Sequence, residues 1–334
     1  MDAQTRDHPW WLMLLICCLV VVGQSLPVSA QQGDNGSSIF PKTTDLPDWK
    51  VRSWETVIRD DIYYFAWHSA PLGDINGDGY DDFAISSKAD TTFIFLGGDP
   101  FEHDPDFIVR GGGVGIASGD IDRDGRMDLV TAIDDKDWTG EHDPERRGAI
   151  RVYLQKDGAA PFSWQEDQLL RGKVKELLAS QVGETRAPIN LLDYNGDGWL
   201  DILSKAVDTR DSATMKGVLY FGGPAVNGTD HFDSTYDAEF RVPKIQWFKH
   251  PYMDDVLIGD INGDGCDDIL VWGWLPDRVH YWDLYLGNPQ GSAGLPDRVL
   301  RSDKGWSPQY RLAEMMDVDA DGYADIIDAG KASL

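Results

Sequence analysis

The sequence predicts an all-β fold made of repeated small sheets, on three observations. An aspartate-rich segment of ten residues occurs five times in register without a gap. Short runs of β-branched and other apolar residues flank each copy, as is typical of strands. The copies are 46, 73, 67 and 57 residues apart, and each interval fits one four-stranded sheet with loops of variable length. Repetition of this kind predicts a β-propeller, in which every sheet is one blade.

The five aspartate-rich copies are predicted to be calcium-binding loops. Counted from the first aspartate, oxygen-bearing side chains occupy positions 1, 3, 5 and 9, and glycine occupies position 6. Glycine permits the sharp turn, and calcium takes roughly six to eight oxygen ligands in flexible geometry. Position 7 varies, as expected for a residue that offers only its backbone carbonyl. The predicted ligands are Asp74, Asn76, Asp78, Tyr80 and Asp82; Asp120, Asp122, Asp124, Arg126 and Asp128; Asp193, Asn195, Asp197, Trp199 and Asp201; Asp260, Asn262, Asp264, Cys266 and Asp268; and Asp317, Asp319, Asp321, Tyr323 and Asp325.

An EF-hand is the main alternative for these loops, and two features exclude it. An EF-hand has a bidentate glutamate at position 12 and a helix on each side. The runs after the loops, such as 129–131 and 269–271, have the composition of strands. Position 12 holds no glutamate; its residues are Ile85, Thr131, Ser204, Val271 and Asp328. Each loop is therefore predicted to join two strands and to prefer calcium over magnesium, which demands near-octahedral geometry. We expect about five calcium ions, one per loop.

A second repeated element supports the propeller. A strand that ends in glycine follows three of the loops, at residues 92–98, 218–224 and 283–289, and residues 149–154 form the same strand without the glycines. Loop and strand together resemble the FG-GAP repeat, which is closely similar to the VCBS repeat. The resemblance runs from about Ala70 to the C-terminus. It implies blades like those at the N-terminus of integrin α chains, with calcium held by positions 1, 3, 5 and 9, and it implies a role in extracellular recognition or adhesion.

The sequence departs from an integrin-like ring in the number of loops, because five are visible where such a ring has seven blades. Either Ile39–Ser69 supplies the missing strands and closes the ring, or the propeller is incomplete or needs a partner. Thrombospondin-type calcium repeats share the aspartate pattern, but they recur more densely and carry cysteines, and neither feature occurs here.

The N-terminus has the layout of a signal peptide. A continuous apolar run from Trp10 to Val22 is followed by small residues that end at Ala30. The run is short for a membrane span, although an uncleaved anchor is the alternative. We therefore expect a signal peptide at 1–30, a flexible segment at 31–45 and the repeat domain at 46–334. The expected location is secreted, extracellular, periplasmic or on the cell surface, with no stable span after cleavage.

The charge balance indicates which partners the chain binds. The sequence has 57 acidic against 30 basic residues, a formal net charge of −27, which disfavours nucleic acid. Calcium and an unknown protein or glycan ligand are the expected partners. Because like charges crowd each loop without metal, the calcium is expected to be structural. After cleavage at Ala30 Cys266 is the remaining cysteine, so no internal disulfide is expected.

Catalytic residues are not predicted. The seven histidines lack zinc-binding spacing, and no nucleophile elbow or phosphate-binding loop occurs. Trp272 and Trp274 alternate on one strand and are interpreted as packing between blades, the alternative being a platform for sugar rings. Two other functions stay open: a polysaccharide lyase-like enzyme and a structural segment of a larger assembly. The residues that an enzyme of that kind could use are Lys249, His250, Arg278, His280 and Tyr281.

Overall fold

The structure of the chain is a computed structural model. The structure describes residues 65–87, 91–102, 104–112, 115–133, 148–158, 160–171, 176–178, 189–208, 211–242, 256–274, 280–291, 294–301 and 313–328. The predicted signal peptide at 1–30 and the segment at 31–45 lie outside these ranges, as does the start of the domain predicted at 46–334. Within them no helix is long and apolar enough to cross a membrane.

The described residues form nineteen strands in five antiparallel sheets, which confirms the predicted all-β class. The first sheet contains β1 (Phe65–Gly73), β2 (Asp82–Ser87), β3 (Thr91–Phe95) and β4 (Phe107–Arg110); the second contains β5 (Gly115–Gly119), β6 (Asp128–Ile133), β7 (Ala149–Tyr153) and β8 (Gln168–Leu170); the third contains β9 (Glu176–Leu178), β10 (Asn190–Leu192), β11 (Asp201–Asp208), β12 (Asp211–Tyr220) and β13 (Ala238–Arg241); the fourth contains β14 (Val256–Gly259), β15 (Asp268–Trp274), β16 (His280–Tyr285) and β17 (Arg298–Arg301); and the fifth contains β18 (Ala313–Met316) and β19 (Asp325–Asp328).

Four sheets have the strand order of a propeller blade. Their strands pair in sequence order, each antiparallel to the next, and β9 adds to the third sheet by pairing with β11. The first strands of consecutive sheets lie beside one another, as β1 beside β5, β5 beside β10, and β14 beside β18. The sheets therefore follow one another as blades do, and within the described ranges they do not close into a ring.

The hydrophobic core lies between consecutive sheets. One cluster joins Val130 and Val152 of the second sheet to Ile202 and Val218 of the third. Three further clusters join the first sheet to the second, the third to the fourth, and the fourth to the fifth. Since burial of a valine or isoleucine side chain contributes roughly 1.5–3 kcal/mol, the sheets are held together mainly by apolar contact across their faces.

Trp272 is buried, which favours the interpretation that it is a packing residue. It is 3% exposed and pairs with Trp282 across β15 and β16. Trp282 is half-buried against the cluster between the fourth and fifth sheets. A ring buried in this way is not accessible to a sugar, so Trp272 does not belong to a stacking platform. The side chain of Trp274 lies outside the described residues.

Candidate metal centres

The five aspartate-rich loops occupy equivalent places in the five sheets. Each connects the first two strands of a four-strand order, which in the third sheet are β10 and β11 because β9 lies outside that order. The aspartate at position 9 is the first residue of the second of these strands. Neighbouring loops also touch. The Asp267 N–H donates to the Asp193 carbonyl at 2.8 Å, and the Ala324 N–H donates to the Asp260 carbonyl at 2.7 Å. The third, fourth and fifth loops therefore lie side by side on one face.

The aspartate at position 1 organises the turn of each loop. In the first loop Asp74 accepts the N–H of Asp78 at 3.0 Å and that of Gly79 at 2.8 Å. The same two bonds, from positions 5 and 6, recur in the other four loops at 2.8–3.1 Å. A carboxylate that accepts two amides fixes both its own orientation and the course of the backbone around it.

The side chains at positions 3 and 5 also bind the loop backbone. The Asp78 N–H donates to Asn76 Oδ1 at 2.9 Å, and Asp78 Oδ1 accepts the Tyr80 N–H at 2.9 Å. Every other loop makes the corresponding pair of bonds. Positions 1, 3 and 5 are thus held on the inside of one tight turn, as the predicted ligand pattern requires.

Two positions of each loop have left-handed backbone. Position 6 is glycine throughout, with φ between 83° and 92°, as predicted. Position 4 is left-handed as well, which the sequence analysis missed. Three loops have glycine there, but the second has Arg123 at φ 61° and the fifth has Ala320 at φ 62°. Among the described residues these two are the only ones other than glycine with positive φ. The recurrence of glycine at position 4 of the other three loops, as Gly77, Gly196 and Gly263, was the sequence signal for this left-handed backbone.

The aspartate at position 9 has a second task, which the ligand pattern did not reveal. Asp201 is fully buried and accepts the Tyr194 N–H at 2.9 Å from its own loop and the Gly222 N–H at 2.9 Å from the end of β12. Asp82, Asp128 and Asp268 are equally buried and bridge the loop to the end of the third strand in the same way. This carboxylate therefore ties the loop to its own sheet.

Burial sets the acidity of these four carboxyl groups. Removal from water raises the pKa of Asp128 and of Asp201 to about 7 and that of Asp268 to about 6, and it raises the pKa of Asp82 as well. Burial also raises the pKa of Asp122, with a smaller contribution from the charge of Asp124. A bound cation acts in the opposite direction, because it favours the ionised carboxylate.

The carboxylates of two loops come close enough to share an ion. One oxygen each of Asp120, Asp122 and Asp124 lies within 4.8 Å of the others, and so does one each of Asp317, Asp319 and Asp325. The other three loops have asparagine at position 3, an amide oxygen that suits calcium equally well. Oxygen donors without histidine or thiolate fit a hard cation. Cys266 does not change this, because burial raises the pKa of its thiol to about 11, and a protonated thiol is a poor metal ligand.

The side chains at position 7 fill the seams between neighbouring loops, although the sequence analysis assigned a role only to their carbonyls. Arg123 Cζ lies 5.0 Å from the centre of the Trp199 ring. Cys266 is buried against Gly196, where an added Cβ would lie 2.7 Å from its sulfur. Tyr323 lies against Gly263 in the same way, at 2.5 Å. Position 4 of one loop thus packs against position 7 of the next.

Comparisons with known proteins agree with this arrangement. Residues 74–131, which contain the first two loops and strands β2 to β4 of the first sheet, match the family profile described as the FG-GAP-like repeat. Human integrin alpha-6 is 31% identical over 154 residues. That similarity covers 45% of this chain and 12% of the integrin, so the chain corresponds to a small part of its relative's length.

Proposed function

We propose that this FG-GAP repeat protein, which resembles integrin α chains, is an exported recognition module that binds calcium in its five blade loops. The ions are structural: they hold the loops in shape and offset their negative charge. The recognition itself takes place on the surface of the propeller. The coarse assignment to an extracellular, adhesion-type module rests on the family and on the integrin relative.

The observation that carries calcium binding is the recurrence of one hydrogen-bond pattern in all five loops. Positions 1, 3 and 5 accept the same backbone amides each time. In two loops three carboxylate oxygens lie within 4.8 Å of one another. Repulsion between such groups opposes the fold, and a divalent cation would relieve it. Arginine replaces a neutral residue at position 7 of one loop, where Arg126 pairs with Asp124 and reduces the local negative charge.

The residues that would hold each ion are the side chains at positions 1, 3, 5 and 9 and the carbonyl at position 7. They are oxygen donors on a backbone that bends through two left-handed residues. A flexible site of several oxygens favours calcium, whereas magnesium requires shorter distances and stricter geometry. An ion that binds the folded chain and not the unfolded chain stabilises the fold by mass action.

The proposal is tested by metal content and thermal melting of the full chain. We expect about five bound calcium ions, and a melting temperature that rises by many degrees when calcium replaces excess chelator. Magnesium should have much less effect. Asp264→Ala should remove one ion and part of the rise, while Asp233→Ala, which removes an exposed acid outside the loops, should change neither. If the melting temperature of the unsubstituted chain were the same in saturating calcium as in excess chelator, structural calcium would be disproved.

A further inference from the structure

The connection between β12 and β13, residues 221–237, carries a sequence pattern that neither the calcium loops nor the sheets require. Asn227, Gly228 and Thr229 follow one another there. Asparagine, then any residue except proline, then threonine or serine is the acceptor sequence for asparagine-linked oligosaccharides in exported proteins. A sugar of this kind is bulky and needs a surface position, so the exposure of Asn227 decides whether the pattern can be used.

Asn227 lies at the exposed tip of this connection. The Val226 N–H donates to the Asp230 carbonyl at 2.9 Å and closes a tight turn, in which Gly228 has φ 91°. Asn227 and Gly228 are exposed, and Val226 is 78% exposed. Asn227 Nδ2 donates to Asp230 Oδ2 at 3.2 Å, which uses one of the two hydrogens of the amide. The other hydrogen is the one that a sugar can replace.

The base of the connection is fixed, and its tip stands clear of that base. Gln168 of β8 accepts the N–H groups of His231 and Phe232 at 3.1 and 3.3 Å. Both of these residues are buried, and Phe232 also bridges to Gly222 at the other end of the connection. The base is therefore held against the second sheet, while Asn227 is displayed four residues before His231.

This connection lies at the same end of the third sheet as the aspartate-rich loop. β11 and β12 are antiparallel, and Ile202 near the start of β11 pairs with Tyr220 at the end of β12. The ring of Trp199, in the loop, lies 6.0 Å from the ring of His231, centre to centre. A sugar on Asn227 would therefore stand beside the third loop.

Among the described residues, Asn227 is the only asparagine that satisfies the acceptor pattern. Asn76, Asn195 and Asn262 are also followed by glycine, but aspartate comes next, and each belongs to an aspartate-rich loop. A second acceptor sequence begins at Asn35, outside the described residues. An experiment must therefore locate the sugar as well as detect it.

From the exposed tip and its acceptor sequence we infer that Asn227 carries an asparagine-linked oligosaccharide. The donor is a lipid-linked oligosaccharide diphosphate of the secretory pathway. Asn227 Nδ2 forms a bond to the anomeric carbon of the first sugar and loses one hydrogen as a proton. The bond between that carbon and the diphosphate oxygen breaks, and the lipid diphosphate leaves with the electron pair. The modified amide keeps one hydrogen for Asp230. The assignment rests on the export that forms part of the proposed function.

The test is expression of the full chain in cultured animal cells, with peptide mass spectrometry of the secreted protein before and after treatment with peptide-N-glycosidase. We expect an oligosaccharide on the tryptic peptide 217–241, and aspartate at position 227 once the enzyme has removed it. Asn227→Gln and Thr229→Ala should each remove the oligosaccharide from this peptide. Thr229→Ser should keep it, because the hydroxyl of the acceptor pattern remains. Asn35→Gln is the matched control and should leave this peptide unchanged.

Three results would overturn the inference while the chain is secreted. They are an unmodified 217–241 peptide, a sugar on Asn35 alone, and a sugar on 217–241 that persists in Thr229→Ala. The location of the chain separates these results from failure of the proposed function. A chain that stays in the cytosol without any sugar would refute the proposed export, and the Asn227 site with it.

Discussion

The hydroxyl of Tyr153 donates a 2.8 Å hydrogen bond to the carbonyl of Arg110, and so joins the third strand of the second sheet to the fourth strand of the first. The same contact recurs at the next two seams, from Tyr220 to Arg171 at 3.1 Å and from Tyr285 to Arg241. All three tyrosines are buried. One polar contact therefore recurs at three of the junctions between sheets, beside the apolar clusters that lie there.

Removal of this hydroxyl should loosen one seam. Tyr153→Phe is expected to lower the free energy of unfolding by about 1 kcal/mol, the usual net value of a hydrogen bond. Thr131 Oγ1 also donates to the Arg110 carbonyl, at 3.2 Å. The Arg110 carbonyl therefore keeps one donor in Tyr153→Phe. Tyr153→Phe with Thr131→Val should cost more than the two single changes together. Denaturant unfolding in calcium measures this, with the half-exposed Tyr323→Phe as control; strict additivity would contradict a shared acceptor.

Gly222, which follows β12 in the third sheet, should tolerate no side chain. An added Cβ at Gly222 would lie 2.2 Å from the carbonyl oxygen of Leu200, whereas one at Gly223 would meet nothing within 4 Å. Gly222→Ala must shift backbone and is expected to cost more than about 2 kcal/mol. Gly223→Ala should fall within about 0.5 kcal/mol of the wild type. Unfolding curves for the two neighbouring variants give the answer, and equal stabilities would show that the close approach does not constrain this strand end.

Buried and exposed aspartates of one loop should respond differently to amide substitution. Asp201→Asn replaces an acceptor of two backbone amides by a group that accepts with one atom and faces the other amide with a donor. A loss of about 2–3 kcal/mol is expected. Asp197→Asn keeps an acceptor for the Trp199 N–H and should cost much less. Unfolding in excess chelator isolates this effect from metal binding. Similar losses would mean that Asp201 does not anchor the loop.

A glycine in place of Ala320, the left-handed residue of the fifth loop, should stabilise the fold. Ala320 has φ 62° at a position where three other loops have glycine. Ala320→Gly relieves the steric cost and should stabilise the fold by roughly 0.5–1 kcal/mol. Ala324→Gly, four residues on and without positive φ, is expected to destabilise instead. Arg123→Gly should gain less than Ala320→Gly, because Arg123 packs over Trp199. Melting temperatures measure all three, and a loss of stability in Ala320→Gly would refute the argument.

How far the sequence predicts this protein depends on how local each feature is. The turn of the first loop is made by Asp74, Asn76 and Asp78 acting on amides at most five residues away. A pattern of ten residues contains all of that information, so loop, flanking strands and repeat could be predicted. The left-handed position 4 was within reach of the same reasoning, because glycine occurs there three times.

The features that escaped prediction have partners farther along the chain. Asp82 takes its second amide from Gly97, fifteen residues away, and Gln155 Nε2 reaches Ile75 across eighty. The tyrosine contacts between sheets and the packing at position 7 are of the same kind. No periodic pattern specifies which side chain meets which across a seam, since that depends on how two finished sheets pack.

The sequence by itself determined the all-β class, the blade repeat and the oxygen-lined loops, because each follows from strand alternation and turn chemistry within a few residues. Tertiary structure alone decided how neighbouring loops meet. It packed Cys266 and Tyr323 against glycines. It also left a space of about 500 Å³ between the first and second loops, lined in part by Gln155, which stands where three other sheets have glycine. One different side chain in an otherwise regular repeat is enough to open a space between two loops. Because neighbouring sheets pack closely, a space remains only where a side-chain contact between the loops is missing.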